Sequence, residues 1–526
     1  MPAGLLLLLG LAIALTDAAC IGKPADKATD LCDSEIYCRG DLLKTVQLAS
    51  IFNDSKTFVD LSQLNDPSVT ISNFNKLMKE TNNKPNRTQV QRYVSENFNV
   101  SNELEDWMPP DWQKRPGLLH RIKDPKYRNW AEHLNNVWKT LGRKITKEVQ
   151  RNPEKHSLIY VENGFVVPGG RFNEFYYWDS YWVIKGLLLC GMHQTVKGMI
   201  LNFLSMVVRY GFIPNGGRVY YLMRSQPPML IPMVDLYLEA TNDVDFLREY
   251  ISILEKEFNY WQREKTVKVN VNGKSNTLAR YYVQSPSPRP ESYREDYELA
   301  QKLPVEKQGE FYNNIKAGAE SGWDFTSRWF IRESDVGTTG LQNISASNII
   351  PVDLNAILQQ NARLLSSYHY ALGNLAKAQH YAKIAESWQE AIDNVLWNEE
   401  SGIWFDYDIK NNKVRKSFYP SNLVPLYTRS YDKKNGAKYA QRAVAYLHRE
   451  KIDTFFGGTP TSLNLTGEQW DFPNAWPPLQ SFIINGLYLT GVEEAVNEAI
   501  TLADRWVRSN YLGYVDYGAM FEKVSL

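Results

Sequence analysis

The stretch LNAILQQNARLLSSYHYALG at residues 354–373, followed by LAKAQHYAKIAESWQEAIDNVLW at residues 375–397, carries the clearest fold signal in this chain. Apolar residues recur in both segments at steps of three and four, which is the period of an amphipathic helix. We expect Asp353 to cap the first helix and Gly373 to end it. The two segments together predict a helical hairpin.

The same helical period recurs along the rest of the chain. Long apolar stripes are separated by turn clusters such as GFIPNGG at 211–217 and TND at 241–243. These patterns predict further long helices or helix pairs. The stretches concerned are residues 184–210, 233–261, 437–450 and 479–509.

Strand-like alternation is sparse, with short candidates at Thr266–Val271, before an Asn272-Gly273 turn, and at 402–408. The sequence therefore predicts an all-α fold with minor short strands. Helix pairs joined by long loops rich in Gly, Pro and aromatic residues favour α-α hairpins closed into a toroid, although an open helical solenoid gives the same pattern. We expect one such unit over residues 66–526, after an irregular cysteine-containing leader at 20–65.

The composition argues against several classes of partner. Among 526 residues, Lys+Arg and Asp+Glu are both 59, so no net charge favours nucleic acid or an acidic membrane. The 7 His are scattered, and no spacing typical of metal ligands occurs, so we expect no metal site. After the N-terminus, no run reaches the roughly 18 apolar residues that a spanning helix needs.

The N-terminus, MPAGLLLLLGLAIALTDAAC, places an apolar run at 5–15 before Ala18 and Ala19. This pattern predicts a signal peptide over residues 1–19 and a secreted product. Cys32 and Cys38 are close enough for a small-loop disulfide, Cys190 is expected to be a buried thiol, and Cys20 has no assigned partner. Candidate N-glycosylation sequons begin at Asn53, Asn86, Asn99, Asn343 and Asn464.

Two loop windows carry the chemistry: PGGRFNEFYYWDSYW at 168–182 and QWDFPNAW at 469–476. Both combine carboxylates and aromatic side chains, and the first adds glycine turns and an arginine. Aromatic faces cover the apolar side of a sugar ring, while guanidinium groups and carboxylates hydrogen-bond its hydroxyls. These windows predict a site for a neutral, hydroxyl-rich ligand.

Three further loops have the same character. Residues 215–226 run from Asn-Gly-Gly to an Arg-Ser-Gln triplet, 288–292 read PRPES, and 319–329 read AESGWDFTSRW. An arginine near a glutamate on a loop is usually a surface ion pair. Arginines that recur beside Pro and Gly turns are less simply explained in that way.

These loops, in this order, resemble the trehalase family over roughly residues 40–523. The resemblance implies an (α/α)6 toroidal barrel with long active-site loops at its mouth. It also implies hydrolysis of α,α-trehalose to two glucose molecules, with inversion at one anomeric carbon and without a cofactor. By position within the family motifs, Asp324 matches the general acid and Glu522 the general base.

The resemblance also assigns residues to the sugar. The substrate-binding residues that the resemblance implies are Arg171, Trp178, Asp179, Asn215, Arg224, Ser225, Gln226, Arg289, Pro290, Glu291 and Gly322. Asp471 and Asn474 are not among them and are expected to organise their loop.

One departure from the family concerns the segment after Glu522. Family members continue there with a tyrosine, a glycine-rich stretch bearing another glutamate and a last helix, whereas this sequence reads FEKVSL at 521–526. The resemblance thus predicts a chain without the last barrel segment. Three alternatives stay open. One is a truncated, catalytically impaired pseudoenzyme that binds sugar, another is a different helical-toroid glycosidase, since a fold does not fix a function, and the third is a helical repeat scaffold for protein partners.

Overall fold

The computed structural model describes residues 31–100, 102–331 and 340–526. The predicted signal peptide and Cys20 lie outside these residues. The described chain forms two compact units. Unit 1 runs from residue 31 to Ser225 and adds Pro232–Glu257 and Ser287–Glu298. Unit 2 consists of Gln226–Ile231, Phe258–Pro286 and Leu299–Leu526.

Helices dominate the described chain up to residue 210, and two of them, at Pro67 and Pro125, begin at a proline, whose fixed φ suits the first turn. They are α1 (Asp41–Leu48), α2 (Lys56–Val59), α3 (Pro67–Glu80), α4 (Arg87–Asn97), α5 (Leu118–Arg121), α6 (Pro125–Leu141), α7 (Lys147–Arg151), α8 (Asp179–Leu189) and α9 (His193–Tyr210).

The later helices are longer on average and include the hairpin expected at 354–397. They are α10 (Leu230–Thr241), α11 (Val244–Lys265), α12 (Tyr293–Ala300), α13 (Val305–Glu320), α14 (Val352–Ala371), α15 (Leu375–Val395), α16 (Val424–Thr428), α17 (Gly436–Arg449), α18 (Pro477–Tyr488) and α19 (Glu493–Tyr517).

Helices α14 and α15 form the hairpin because each buries an apolar stripe. On α14, Leu354, Leu358 and Leu365 have no exposed surface, and on α15 Trp388 and Ile392 are buried. Burial of each such side chain stabilises the fold by about 1.5–3 kcal/mol. The predicted stop is confirmed, since Gly373 adopts φ +78° directly after the helix.

The strands are short, and all the described pairs are antiparallel. The longest pair is the predicted hairpin of β6 and β7, whose turn at Asn272 and Gly273 has φ 53° and 72°. The strands are β1 (Ser62–Gln63), β2 (Phe98–Asn99), β3 (Leu104–Asp106), β4 (Gly142–Ile145), β5 (Phe165–Val166), β6 (Thr266–Val271), β7 (Lys274–Ala279), β8 (Ile349–Ile350), β9 (Trp397–Asn398), β10 (Ile403–Trp404), β11 (Tyr407–Asp408), β12 (Lys413–Val414), β13 (Asn474–Ala475) and β14 (Val524–Ser525).

The part of the predicted leader that the structure describes is not irregular throughout. Residues 31–65 contain α1 and α2, and Leu42, Leu43 and Val46 bury one face of α1 within unit 1. The predicted Cys32–Cys38 disulfide is present, with 5.5 Å between the two Cα atoms. The segment is therefore a folded part of unit 1, because its three apolar residues recur at helical spacing.

Two smaller expectations also need correction. Residues 184–210 are not one helix, because Gly191 adopts φ +79° and separates α8 from α9. Asp353 is not the cap of α14: Pro351 occupies the N-cap position, and Asp353 lies in the first turn, where it accepts hydrogen bonds from Arg328.

No helix in the described part of the chain is both long and apolar enough to span a bilayer.

Candidate active site

The first window presents Arg171 through a glycine turn in unit 1. Gly169 and Gly170 adopt φ 108° and 60°, a region that side-chain-bearing residues rarely enter. The Arg171 guanidinium lies 2.9 Å from the carboxylate of Asp54 and against the ring of Phe172, with half of the side chain exposed. Arg171 is thus held from one side and accessible from the other.

Trp178 and Asp179 stand at the beginning of α8. Trp178 is buried and packs edge-to-face on Trp182, with 5.2 Å between ring centroids. Asp179 is half-buried in the first helical turn, where a carboxylate is favoured by the helix dipole. Both residues have a structural role that would operate with or without a ligand.

The structure brings Asn215, Arg224 and Glu291 into one buried cluster. Arg224 donates from Nε to Oδ1 of Asn215 at 2.9 Å and from Nη2 to Oε1 of Glu291 at 2.8 Å. All three side chains are at most 7% exposed. Residues up to 76 positions apart in the sequence therefore lie together in one buried, hydrogen-bonded cluster.

This cluster has hydrogen-bonding capacity left over. Within the described chain, Nη1 of Arg224 and Oε2 of Glu291 are buried without a hydrogen-bond partner. Burial opposes ionisation of Glu291, but the charges of Arg224 and Arg289 outweigh it and hold its pKa below the ordinary value. A buried, ionised pair with one spare donor and one spare acceptor matches a sugar hydroxyl, which can both accept and donate.

Other predicted binding residues of the same loops are engaged with protein. Ser225 has no exposed surface and donates from Oγ to the carbonyl of Ile213 at 2.6 Å. Gln226, in the short Gln226–Ile231 segment of unit 2, is also buried. The hydroxyl of Ser225 therefore shapes the loop that presents Arg224.

Arg289 forms a two-pronged ion pair. Its Nε and Nη2 donate to the two oxygens of Asp296 at 2.9 and 2.7 Å, and its backbone N–H also donates to that carboxylate. The carbonyl of Pro290 accepts a hydrogen bond from Gln47 at 3.0 Å. These contacts fix the proline-rich segment, so that Glu291 faces Arg224.

In unit 2, α13 leads into the loop that carries Asp324. Gly322 adopts φ +76°, Trp323 and Phe325 are buried, and Asp324 between them is half-buried. The side-chain amide of Gln469 donates to the carbonyl of Asp324. The apolar neighbours expected for an acid at this position are thus present.

Asp471 organises the second window, as the sequence predicted. Its carboxylate has no exposed surface and accepts hydrogen bonds from Thr326, Ser462, Thr466 and both the N–H and hydroxyl of Ser327. One buried carboxylate therefore ties the Asp324 loop to the 459–476 loop. Such charge-assisted bonds to a carboxylate are shorter and stronger than neutral ones.

A buried arginine that the sequence analysis missed lies four residues after Asp324. Arg328 has no exposed surface and donates four hydrogen bonds of 2.7–3.0 Å to Asp353 and Asp406. Its guanidinium carbon lies 4.5 Å from the ring centroid of Trp323. The SRW that follows GWDFT was visible in the sequence, but nothing there connected it to carboxylates 25 and 78 residues away.

Glu522 lies on the segment that follows α19, and its side chain is exposed. The next residues form β14, whose Val524 and Ser525 pair with Ala475 and Asn474 of β13. The carboxylate-bearing segment is therefore attached to the QWDFPNAW loop of the same unit. No cluster of candidate metal ligands occurs among the described residues.

Comparisons with known proteins identify the family of the chain. A family model described as Trehalase matches residues 50–526. The trehalase of Pimpla hypochondriaca is 58% identical over 97% of this chain and 87% of its own length, and the human trehalase is 46% identical over 99% and 87%.

Among solved structures, the neutral trehalase of Saccharomyces cerevisiae superimposes with a TM-score of 0.56 at 24% identity, over 69% of each chain. This likeness shows a shared fold and, with the helices described above, confirms the all-α class. With matches over nearly its whole length, the chain belongs to the trehalase family.

Proposed function

We propose that this chain hydrolyses α,α-trehalose with inversion, using Asp324 as general acid and Glu522 as general base. The acid protonates the glycosidic oxygen while water attacks the anomeric carbon from the opposite face. The base accepts the proton that the water loses. One product is β-glucose and the other, which keeps its bond to the glycosidic oxygen, is α-glucose.

The setting of Asp324 carries this proposal. Trp323 is 1% and Phe325 9% exposed, so the carboxyl group stands between two apolar side chains on a loop anchored by Asp471. Apolar surroundings favour the protonated form of a carboxyl group, which is the form that a general acid needs. The partial exposure of Asp324 leaves it accessible to a bound sugar.

Glu522 has the complementary setting. Its exposed carboxylate can receive a water molecule, and inverting glycosidases keep their two carboxyl groups about 6.5–9.5 Å apart for that purpose. The neighbouring Lys523 and the carbonyl of Asp324 both contact the side chain of Gln469. This shared contact supports a common site for the two acids within unit 2.

Sugar recognition is assigned to the cluster of Arg224, Glu291 and Asn215. Its spare donor, Nη1 of Arg224, and its spare acceptor, Oε2 of Glu291, are buried. Leaving them without partners costs free energy, and a bound sugar hydroxyl that pairs with them would remove this cost. Arg171, Trp178, Asp179, Gln226 and Gly322 are retained as binding residues by their match to the family motifs. Ser225, Arg289 and Pro290 are proposed to act by fixing the loops.

The test is hydrolysis of trehalose by the purified protein, followed by proton NMR of the anomeric signals. We expect equal early amounts of α- and β-glucose. Asp324→Asn should lower turnover about 1,000-fold, within the range attributed to general acid catalysis. Asp504→Asn, on the exposed side of α19, serves as the matched control and should leave turnover unchanged. Unchanged turnover in Asp324→Asn would refute the acid assignment.

Related assays separate the two alternatives that involve sugar. A different glycosidase of this fold would release glucose faster from maltose than from trehalose. A sugar-binding pseudoenzyme would give heat on titration with trehalose but no glucose. The trehalase proposal requires glucose release from trehalose and a clear preference for it over maltose.

We also propose that the protein is secreted and glycosylated. The Cys32–Cys38 disulfide suits an oxidising compartment, and Asn53, Asn86 and Asn99 are exposed. Asn464 is exposed as well, whereas Asn343 is half-buried. Expression in animal cells should yield medium protein lacking residues 1–19, with a mass that falls on treatment with an N-glycanase. Retention of the protein inside the cells would contradict this proposal.

A further inference from the structure

Three indole rings form a continuous stack in unit 2. Trp323 and Trp470 have ring centroids 5.6 Å apart with 25° between planes, and Trp470 and Trp476 are 3.9 Å apart and nearly parallel at 5°. Trp323 precedes the proposed acid, and the other two belong to the QWDFPNAW loop. Stacked aromatic rings are rigid, since each has only two side-chain torsions.

A cation lies at each end of this indole stack. The Arg328 guanidinium is 4.5 Å from the ring centroid of Trp323, and the Lys523 ammonium is 5.4 Å from that of Trp476. Both distances fall within the range of cation–π attraction. The stack therefore begins beside Asp324 and ends beside Glu522, the two residues proposed to catalyse hydrolysis.

Gln469 makes a second link between the same ends. Its side-chain amide donates to the carbonyl of Asp324, and its side-chain oxygen accepts from Lys523 at 3.5 Å. Its backbone carbonyl accepts from the indole N–H of Trp476 at 2.8 Å. Beyond Lys523, the N–H of Leu526 donates to the carbonyl of Pro473 at 2.8 Å.

We propose that Lys523 is a positioning residue: held by Trp476 and Gln469, it fixes Glu522 at the working distance from Asp324. The fixed end of the stack is Arg328, which Asp353 and Asp406 immobilise. This inference rests on the proposed function, because it needs Asp324 and Glu522 as the acid and base. It adds a role for Lys523, whose ammonium group contacts Trp476 and Gln469.

The experiment compares two substrates. Hydrolysis of trehalose needs a protonated leaving group, whereas fluoride leaves α-glucosyl fluoride with little acid assistance. The step that the two reactions have in common is the attack of water assisted by the base. Lys523→Met should lower kcat about 10-fold for both substrates with KM changed less than about 2-fold, because a misplaced base slows attack without weakening binding. Lys523→Arg keeps the charge and donors and should restore kcat to within about 3-fold of the unaltered protein.

Two reference variants fix the interpretation. Lys433→Met removes an exposed lysine elsewhere in unit 2 and should leave both rates unchanged. Asp324→Asn should lose far more activity on trehalose than on the fluoride, a split that Lys523→Met must not show. Thermal unfolding of each variant, within about 2 °C of the unaltered protein, shows that rates are compared between folded molecules.

The positioning proposal and the proposed function fail in different ways. If Lys523→Met keeps kcat within about 2-fold while Asp324→Asn is inactive on trehalose, the function stands and the positioning role is refuted. If Asp324→Asn is fully active on trehalose, the acid assignment within the proposed function fails. Hydrogen exchange of the 519–526 peptide then tests Lys523 without catalysis: about 5-fold faster exchange in Lys523→Met supports its holding role, and unchanged exchange refutes it.

Discussion

Arg224 in unit 1 and Arg328 in unit 2 are both buried beside carboxylates, yet their hydrogen bonding differs. Arg328 gives four bonds to Asp353 and Asp406, which occupy all three guanidinium nitrogens. Arg224 gives one bond to Glu291 and one to Asn215, and its Nη1 has no partner within the described chain. The arginine whose three nitrogens are all engaged therefore holds the fold, whereas the one with an unengaged nitrogen is available to a ligand.

The largest effect is expected at Arg328. Arg328→Met leaves Asp353 and Asp406 buried without a compensating charge, which should cost about 3–5 kcal/mol of unfolding free energy. The measurement is urea unfolding at pH 7. The matched control is Arg263→Met, an exposed arginine whose pair with Glu264 is worth less than about 1 kcal/mol. Equal stability of the two variants would contradict a structural role for Arg328.

A triple variant identifies the cause of the loss of stability. Adding Asp353→Asn and Asp406→Asn to Arg328→Met removes the two uncompensated charges and should recover part of the lost stability. Recovery would show that the loss came from buried charge. No recovery would mean that the packing of Arg328 on Trp323 and Trp329, at 4.5 and 4.6 Å, dominates instead.

The second prediction concerns Arg224. Arg224→Lys keeps a positive charge beside Glu291 but loses the fork, so stability should change by less than about 1 kcal/mol, while kcat/KM for trehalose should fall about 100-fold. Arg289→Lys is the matched variant. Because Arg289 forms a bidentate ion pair with Asp296, Arg289→Lys should lower the unfolding temperature more than Arg224→Lys does. The opposite order would contradict the division into binding and structural arginines.

The smallest effect is expected at the half-buried carboxylate of Asp393. Burial raises the pKa of Asp393 to about 6, although Gln389 donates to it at 3.0 Å. Because the folded-state pKa lies above the ordinary value of 3.8, Asp393 destabilises the fold as pH rises from about 4 through 6. Asp393→Asn should therefore raise stability by about 1 kcal/mol at pH 7 and leave it unchanged at pH 3.5.

Asp432→Asn supplies the control for this pH dependence. Asp432 is exposed and caps a short helical turn, and its carboxylate is one of the like charges that face Asp393. Its replacement should give a smaller gain at pH 7 than Asp393→Asn does. If Asp393→Asn raised the free energy of unfolding equally at pH 3.5 and pH 7, Asp393 would act through packing and not through charge.

The helices were predictable because their signal is local. The α14–α15 hairpin buries Leu354, Leu358 and Trp388 at the spacing that the sequence displays. Asp353 shows where local reasoning ends. An aspartate near a helix start reads as a cap, but the distant Arg328 competes for its carboxylate, and the stronger charge-assisted pair prevails.

The candidate site was predictable in part for the same reason. Arg224 and Glu291 were singled out because each stands in an unusual loop, and the structure joins them. Arg328, Gln469 and Lys523 were missed because their partners lie between 25 and 145 residues away, and only tertiary packing reveals such pairs. The roles assigned to Asp324 and Glu522 stay predictions until the variants are measured.

The anchoring of the 459–476 loop by Asp471 has a consequence for engineering. The loop is fixed at its base, while Leu463 and Leu465 near its tip are 40% and 77% exposed. Randomised libraries aimed at new disaccharides can vary these tip positions and keep the carboxylate beneath them intact. The sequence of the loop can therefore vary at Leu463 and Leu465, while Asp471 keeps its conformation.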